Sequence, residues 1–531
     1  MGNSKKILRK VLLWIASAVA VLVIGALALM RIAEHKLHTA LADIPGMQLD
    51  FKKAKLSPVL GNLEFRDIAF TLRDTTAASP EIEARIEAIE LERLSWRSLI
   101  RGEASAQALL IREPKVRLQL PGESAKAEQK DTTAKEARAS FLKKVFLSEI
   151  RVKGGQFGLG SQKDSTRVAA QGIDFSVRDI GFLLSESRLE YNDSSYCFAM
   201  DSLDYSDAAG LSRIRIGHLA TTEAGPVEAT AMHLYNCVPM EEVAERMGKV
   251  SSMWYDVRLD SLYTSPLNIP RMVESRQIVI DNMYLSGPEI TLFQDDRYPP
   301  AVPYATIQEG LNTLNLPLQI HHIGANIQLF TFIWETTHVN RGTFPLHNLR
   351  IAANSVSNAQ DNLMELDIKS GKEGTGSLDF SLFIRNDKQE STHGRMQIRN
   401  LEASRLDPFL RPLFGATAKA DIHLIDSQFK GSKNKLTNDF CMLYDHLELK
   451  AWDDSTAPFK IVAKNSGAVS FLANIVAPHS NPARAGKDPK KVEVTFERDP
   501  MLPYPSFIIQ NLTMGMLRTV LPGGAVHKTR K

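Results

Sequence analysis

The chain has 531 residues, which is long enough for two to four ordinary domains or for one elongated repeat architecture. Its 64 lysine and arginine residues nearly balance 61 aspartate and glutamate residues, which argues against nucleic acid as a partner, because phosphate binding needs a concentrated basic face. Three widely spaced cysteines form no CxxC motif, which argues against a metal site or a thioredoxin-like site.

The first feature along the chain is an uncharged apolar segment, residues 11–30, with the sequence VLLWIASAVAVLVIGALALM. A helix rises ~1.5 Å per residue, so this segment would span ~30 Å, the hydrocarbon thickness of a bilayer. Four basic residues precede it within residues 1–10, and such clusters stay in the cytoplasm. The pattern predicts a short cytoplasmic stub, a transmembrane anchor and a body outside the cytoplasm. A cleaved signal peptide with a small-residue site at residues 26–28 is the alternative.

After the anchor, alternation of apolar and polar residues predicts strands. The clearest examples are Val116, Leu118 and Leu120; Leu378, Phe380, Leu382 and Ile384; and Val492, Val494 and Phe496. One apolar and one wet face are typical of antiparallel sheets exposed on one side. For residues 81–94 we expect a strand with a bulge at Ala88-Ile89, followed by a helical turn at residues 96–100.

A ten-residue pattern recurs, in which two alternating apolar runs flank two turn-forming or polar residues. Copies occupy residues 109–118, 150–159 and 283–292, and a looser copy starts at Ile320 with His322 in one apolar position. Glycine and proline between alternating runs kink or reverse a strand. Ordinary hairpins would produce similar patterns, but recurrence within one chain favours a repeated unit that stacks along an axis.

The predicted body has two β-rich parts, residues 31–120 and 141–466, separated by residues 121–140. That Ala/Lys/Glu-rich segment has no apolar face and is predicted to be a mobile insertion. The last part, residues 467–531, contains an amphipathic helix predicted over residues 506–521 and ends in a basic tail.

We find no phosphate-binding glycine loop, HExxH motif or GxSxG motif, and we predict no catalytic residue, metal ligand or cofactor. His321 and His322 are adjacent, so on a strand they point to opposite faces and cannot share a metal; we expect one at the surface and one facing the core. Asp295-Asp296 precedes Arg297 and two prolines and is predicted to be a solvated turn. Cys197 and Cys237 could pair in an oxidising compartment, with buried free thiols as the alternative, and the sequence leaves the state of Cys441 open.

The order of these segments resembles the AsmA-like proteins of Gram-negative envelopes. The resemblance covers about the first 160 and the last 140 residues. It rests on residues 48–51, 63–66, 86–92, 96–102, 108–118 and 150–159, and later on residues 394–401, 406–410, 418–452 and 492–498.

The resemblance implies a mainly β fold. An N-terminal transmembrane helix would be followed by an elongated, curved, largely antiparallel β-sheet groove with a few short helices and a C-terminal amphipathic helix. It further implies a single-pass inner-membrane protein, with its N-terminus in the cytoplasm and its large C-terminal domain in the periplasm. Such a protein would carry or bridge phospholipids toward the outer membrane, or support outer-membrane biogenesis, without being an enzyme.

The implied partners are phospholipid or another envelope lipid, the inner membrane, and a periplasmic or outer-membrane protein at the far end. The candidate groove residues are Val116, Leu118, Phe157, Leu159, Ile290, Leu292, Leu378, Phe380, Leu382 and Ile384. Alternation alone does not separate an open groove from a closed β-sandwich. An anchored scaffold or interaction protein built from closed sandwiches is therefore the second hypothesis. An envelope hydrolase is a third, which no pair of acidic residues supports.

Overall fold

The computed structural model describes residues 47–57, 60–72, 81–95, 97–98, 101, 103–120, 144–161, 167–183, 188–190, 196–207, 209–221, 225–267, 272, 275–335, 341–371, 376–408, 411, 416–451, 459–461, 478–484, 486–520 and 526–528. The predicted anchor and its cytoplasmic stub lie outside these residues, as does the predicted insertion at residues 121–140. Within the described part of the chain, no helix is both long enough and apolar enough to cross a bilayer.

The chain divides into two compact units, which are described separately. Unit 1 comprises Met1–Ala231 with Pro266–Pro270, and unit 2 comprises Met232–Ser265 with Arg271–Lys531. The strands of unit 1 are β1 Met47–Ser57, β2 Asn62–Leu72, β3 Glu81–Glu92, β4 Glu103–Arg112, β5 Lys115–Leu120, β6 Lys144–Ser161, β7 Arg167–Leu183, β8 Arg188–Glu190, β9 Tyr196–Met200, β10 Ser202–Ser206, β11 Ser212–Ile216 and β12 His218–Thr221, and β13 Pro226–Asn236 runs across the boundary.

Unit 2 combines strands with short helices. Its strands are β14 Ser252–Pro266, β15 Ile278–Ser286, β16 Glu289–Asp295, β17 Leu318–Glu335, β18 Arg341–Ser357, β19 Leu363–Ser370, β20 Ser377–Arg385, β21 Thr392–Glu402, β22 Ala416–Ser432, β23 Lys435–Ala451, β24 Phe459–Ile461, β25 Lys491–Glu497 and β26 Val526–Lys528. Its α-helices are α1 Val243–Arg246, α2 Ile307–Asn312 and α3 Tyr504–Val520, and two 3-10 turns cover Met240–Glu242 and Ala403–Leu406.

The prediction of a mainly β fold is confirmed, and most strand pairs are antiparallel. In unit 2, for example, β18 to β23 pair in chain order, each strand antiparallel to the next. The alternating segments at residues 116–120, 378–384 and 492–496 lie in β5, β20 and β25, as expected. The ambiguous segment forms the single strand β3. The bulge expected at Ala88-Ile89 is wrong, because both residues pair regularly with Arg66 and Phe65 of β2, in the same register in which Ile86 pairs with Ile68.

The same strand arrangement occurs once in each unit. In unit 1, β3 pairs antiparallel with both β4 and β5, which in turn pair parallel with the long strand β6. In unit 2, β14, β15, β16 and β17 repeat this arrangement. The two interruptions contain Pro114 and Pro288, whose carbonyl oxygens accept from the amides of Gln156 and Gln328 at 2.7 and 3.1 Å. Proline has no N–H for the ladder, so the strand breaks there.

This arrangement accounts for the ten-residue pattern found in the sequence. The copy at residues 109–118 spans the break between β4 and β5, and it pairs in register with the copy at residues 150–159 in β6. The copy at residues 283–292 spans the break between β15 and β16. Its partner in β17 runs from Ile323 to Phe332, so the paired segment is offset by three residues from the looser copy that starts at Ile320.

Helix α3 confirms the predicted C-terminal helix and lies on the sheet of unit 2. Phe507 and Leu512 of α3 are 2% and 6% exposed, and they join one hydrophobic cluster with Phe440 of β23. Gly515 permits this close approach, because a Cβ there would lie 2.5 Å from the Phe440 ring. Helix α2 is short and begins with a capping box, in which Thr306 and Glu309 exchange side-chain-to-backbone hydrogen bonds of 3.0 and 2.9 Å.

Candidate functional site

One face of the unit 1 sheet carries two neighbouring rows of apolar side chains that run across the strands. Val116 of β5 pairs with Ala84 of β3 on one side and with Phe157 of β6 on the other. Directly paired residues of adjacent strands point to the same face, so the rows can be followed from β2 to β11. We name these rows the apolar face: Phe70, Ala84, Val116, Phe157, Ala170, Leu203 and Ile216, with Leu72, Ile82, Leu118, Leu159, Val168, Tyr205 and Ile214 beside them.

The side chains of the apolar face are only partly covered by protein. The small residues Ala84 and Ala170 are 7% and 6% exposed, and the other twelve members are half-buried. By contrast, another hydrophobic cluster of unit 1 is sealed: Phe65 of β2 and Leu109 of β4 are 1% and 4% exposed. The apolar face therefore retains contact area that a nonpolar ligand could cover.

The opposite side of the same strands is polar and carries paired charges. Between the two apolar rows, Glu83 pairs in register with Arg117, and further along Asp204 pairs with Arg215. The Arg213 guanidinium donates to Asp204 at 2.7 Å and holds the pKa of that carboxyl below its usual range. The unit 1 sheet is thus amphipathic, with an apolar and a hydrated side.

The ten predicted groove residues fall into three places. Val116, Leu118, Phe157 and Leu159 come together as four neighbours at the centre of the apolar face. Ile290 and Leu292 are half-buried in β16 of unit 2, where they pair with Phe330 and Phe332 of β17. Leu378, Phe380, Leu382 and Ile384 lie in β20.

The β20 residues belong to the core of unit 2. Phe380, Leu382 and Ile384 are 7%, 2% and 2% exposed, and their cluster includes Phe507 and Leu512 of α3. Leu378 packs against the same cluster. Because protein already covers these side chains, we leave them out of the candidate site.

Several members of the apolar face were not among the predicted residues. Val168, Leu203, Tyr205, Ile214 and Ile216 all lie in strands that alternate apolar and polar residues, so the signal was present in the sequence. The alternation does not say which strands pair or in which register, and only the register places these residues beside Phe157 and Leu159.

The predicted solvated turn at Asp295-Asp296 is wrong, because both carboxylates are engaged by protein. Asp295 ends β16 at 0% exposure and forms a 2.7 Å ion pair with Arg297. Asp296 accepts from the Ser251 hydroxyl at 2.6 Å and from the Trp334 indole at 2.7 Å. Burial raises the pKa of Asp296 despite these hydrogen bonds. The pair anchors the end of β16.

The remaining chemistry-bearing residues are placed as follows. Cys197, Cys237 and Cys441 all lie in the described ranges, and each is a free thiol. His321 contacts Asp281 at 3.0 Å at the surface, whereas His322 contacts Asn354 at 2.8 Å in a polar hollow, so the expected core-facing histidine is absent from this pair. Among the described residues, no group of three or more His, Cys, Asp or Glu could hold a metal ion.

Comparison with known families and with curated proteins finds no match for this chain.

Proposed function

We propose that this chain is a membrane-anchored envelope protein whose apolar face binds the acyl chains of phospholipid or of another envelope lipid. Residues 11–30 would anchor it in the inner membrane, with the N-terminus in the cytoplasm and the two units in the periplasm. The resemblance to AsmA-like proteins supports this arrangement. In this role the protein carries lipid toward the outer membrane or supports outer-membrane biogenesis, and it needs no catalytic residue.

The observation that carries the proposal is the continuous apolar face of unit 1. Its seven strands lie about 4.8 Å apart, so each row extends roughly 29 Å across the sheet. Each methylene removed from water contributes about 0.8 kcal/mol, so an acyl chain lying along half-buried Val, Leu, Ile and Phe side chains recovers much of what it loses on leaving a bilayer. The charged opposite side keeps the sheet hydrated.

A delivery route also needs an acceptor. We therefore retain, as part of the proposal, a periplasmic or outer-membrane protein that receives lipid at the end remote from the anchor. The alternative function, an anchored scaffold of closed sandwiches, is favoured by one observation in unit 2. There α3 covers the apolar side of β20 and leaves Leu382 only 2% exposed.

The test compares two neighbouring positions on opposite faces of β5. The full chain is incubated with a phospholipid that carries a diazirine in one acyl chain, irradiated and digested, and labelled peptides are quantified by mass spectrometry. Leu118→Glu places a charge on the apolar face, whereas Arg117→Glu changes charge on the hydrated side. Labelling of residues 11–30, the predicted anchor that both substitutions leave unchanged, provides the internal reference.

We expect labelled peptides from β5, β6 and β7 in the natural sequence, and at least a fivefold loss of this labelling in Leu118→Glu. Arg117→Glu should label like the natural sequence. Circular dichroism melts check that both variants fold. Equal labelling in the two variants, or labelling confined to residues 11–30, would contradict the proposal.

A further inference from the structure

A separate hollow of about 400 Å³ lies on one face of unit 2 and is lined by β14, β15, β17, β18 and β19. Small-molecule sites commonly have volumes of roughly 300–1,000 Å³. One cross-strand row defines its centre: Tyr263, Tyr284, Gly324, Ala352 and Asp367 follow one another in register. None of these residues belongs to the apolar face.

Two exposed tyrosines form one wall of this hollow. Tyr263 and Tyr284 are 46% and 48% exposed, although they pair directly across β14 and β15. The Tyr284 ring leans over Gly324, where an added Cβ would lie 3.0 Å from the ring carbon Cδ1. His322 continues this wall, with its ring centroid 5.8 Å from that of Tyr284. Large exposed aromatic side chains on a polar sheet face mark a binding surface.

Polar and charged groups line the rest of the hollow. Asn326 pairs with Arg350, which pairs with Lys369, and these side chains lie on the same face as the tyrosines. Asp367 lines the hollow together with Lys369. Partial burial is the main cause that raises the pKa of the Asp367 carboxyl, and the negative charge of the nearby Glu365 is the second. No described carboxylate forms an ion pair with Arg350, so its guanidinium donors remain available within the described part of the chain.

We propose that this hollow binds the pyranose ring of a saccharide. The two faces of a pyranose differ from its edge: its C–H groups form flat apolar patches, and its hydroxyls around the rim each donate and accept hydrogen bonds. Tyr284 and Tyr263 stack against the C–H patch, while Ala352, which pairs with Gly324 and carries only a methyl group, leaves room beside the Tyr284 ring. Asn326, Arg350 and Asp367 together offer the donors and acceptors that sugar hydroxyls require.

The residues that line the hollow fit a sugar better than an acyl chain or nucleic acid. Acyl chains are disfavoured, because the charged residues Arg350, Asp367 and Lys369 line the hollow together with Leu285 and Ile351. Nucleic acid is disfavoured because the carboxylate of Asp367 lies among only two cations. The combination of flat aromatic rings with both donors and acceptors fits a near-neutral ring rich in hydroxyls.

The experiment uses the full chain and two neutral probes, cellotriose and chitotriose. Saturation-transfer NMR reports which sugar protons contact the protein, and titration gives the dissociation constant. Tyr284→Ala removes the stacking ring and should weaken binding at least tenfold, whereas Tyr284→Phe should retain it. Val279→Ala is the matched control, since Val279 is an exposed residue of the same strand on the opposite face.

A second variant tests whether the position of the Tyr284 ring matters when the ring itself is kept. Gly324→Ala keeps both tyrosines but displaces the Tyr284 ring, so it should also weaken binding severalfold. The proposal is overturned if neither trisaccharide binds at millimolar concentration, or if binding survives both Tyr284→Ala and Gly324→Ala. Lipid labelling of the apolar face is measured separately, so either proposal can fail without the other.

Discussion

Several charged side chains on the hydrated faces of the sheets are paired across neighbouring strands, and Asp426 of β22 is the clearest case. Arg395 of β21 reaches both carboxylate oxygens of Asp426, at 2.9 and 3.0 Å, and Gln397 donates to it at 3.2 Å. The Arg395 hydrogen bonds lower the pKa of Asp426 below its ordinary value. That pKa is lower in the folded state than in the unfolded chain, where it is near 3.9. The pairing therefore stabilises the fold fully at pH values above 3.9, and this stabilisation is lost as the pH falls through the lowered pKa.

We therefore predict that Asp426→Asn lowers the melting temperature of the protein by a few degrees at pH 7 and that this difference shrinks as the pH falls below about 4. Asp379→Asn is the control, since Asp379 is 59% exposed and its contact with Lys369 is 3.9 Å long. Exposed pairs of this kind contribute little. Thermal unfolding followed by circular dichroism at several pH values measures both variants. A difference for Asp426→Asn that stays constant from pH 7 to pH 2 would refute the assignment.

At the scale of elements, α3 covers the apolar side of the unit 2 strands and so makes that surface part of a buried core. Phe507 of α3 is 2% exposed and lies in the same cluster as Phe440 and Leu382. Truncating a buried phenylalanine to alanine typically costs about 3–5 kcal/mol. We predict a loss of this size in the free energy of unfolding of unit 2 for Phe507→Ala, measured by urea denaturation.

The matched control is Phe383→Ala. Phe383 lies between Leu382 and Ile384 in β20 but points to the other face, where it is half-buried and stacks on His393 with ring centroids 4.6 Å apart. Its truncation should cost less than half as much. Equal losses of unfolding free energy for the two variants would show that the packing of Phe507 stabilises unit 2 no more than the stacking of Phe383 on His393.

The same element shows how far sequence patterns reach. Alternation predicted β5 and β20 equally well, and it assigned an inward face to Val116 and to Leu382 alike. Only one of these faces is sealed, because α3 arrives from a segment more than a hundred residues further along the chain than β20. Local periodicity carries no information about such a distant covering helix.

Two further differences have similar causes. The break between β15 and β16 was visible in the sequence as Gly287-Pro288. Its partner β17 is uninterrupted, so nothing in the sequence indicated that Met283 pairs with Ile323. Prolines after Asp295-Asp296 predicted a solvated turn. The burial of that pair depends on Ser251 and Trp334, which lie about forty residues away on either side.

At the scale of the whole molecule, the proposed function combines the anchor predicted over residues 11–30 with the partly exposed apolar face of unit 1. Under the proposed function, the anchor would place the protein at a bilayer, and the apolar face would supply a surface on which acyl chains leave it. In unit 2, by contrast, the chain covers an apolar sheet surface with its own helix, α3. The central claim is therefore that lipid, and not protein, covers the apolar face of unit 1.

The most direct test is a scan with a photoreactive benzoylphenylalanine placed, one position at a time, along both sides of the unit 1 strands in living cells. Adducts with phospholipid are detected by mass spectrometry of the purified full chain. We expect adducts at Val116, Phe157 and Leu203 and none at the neighbouring positions Arg117 and Asp204, which face the other side. Protein adducts at the apolar positions, or lipid adducts without this alternation, would contradict the central claim.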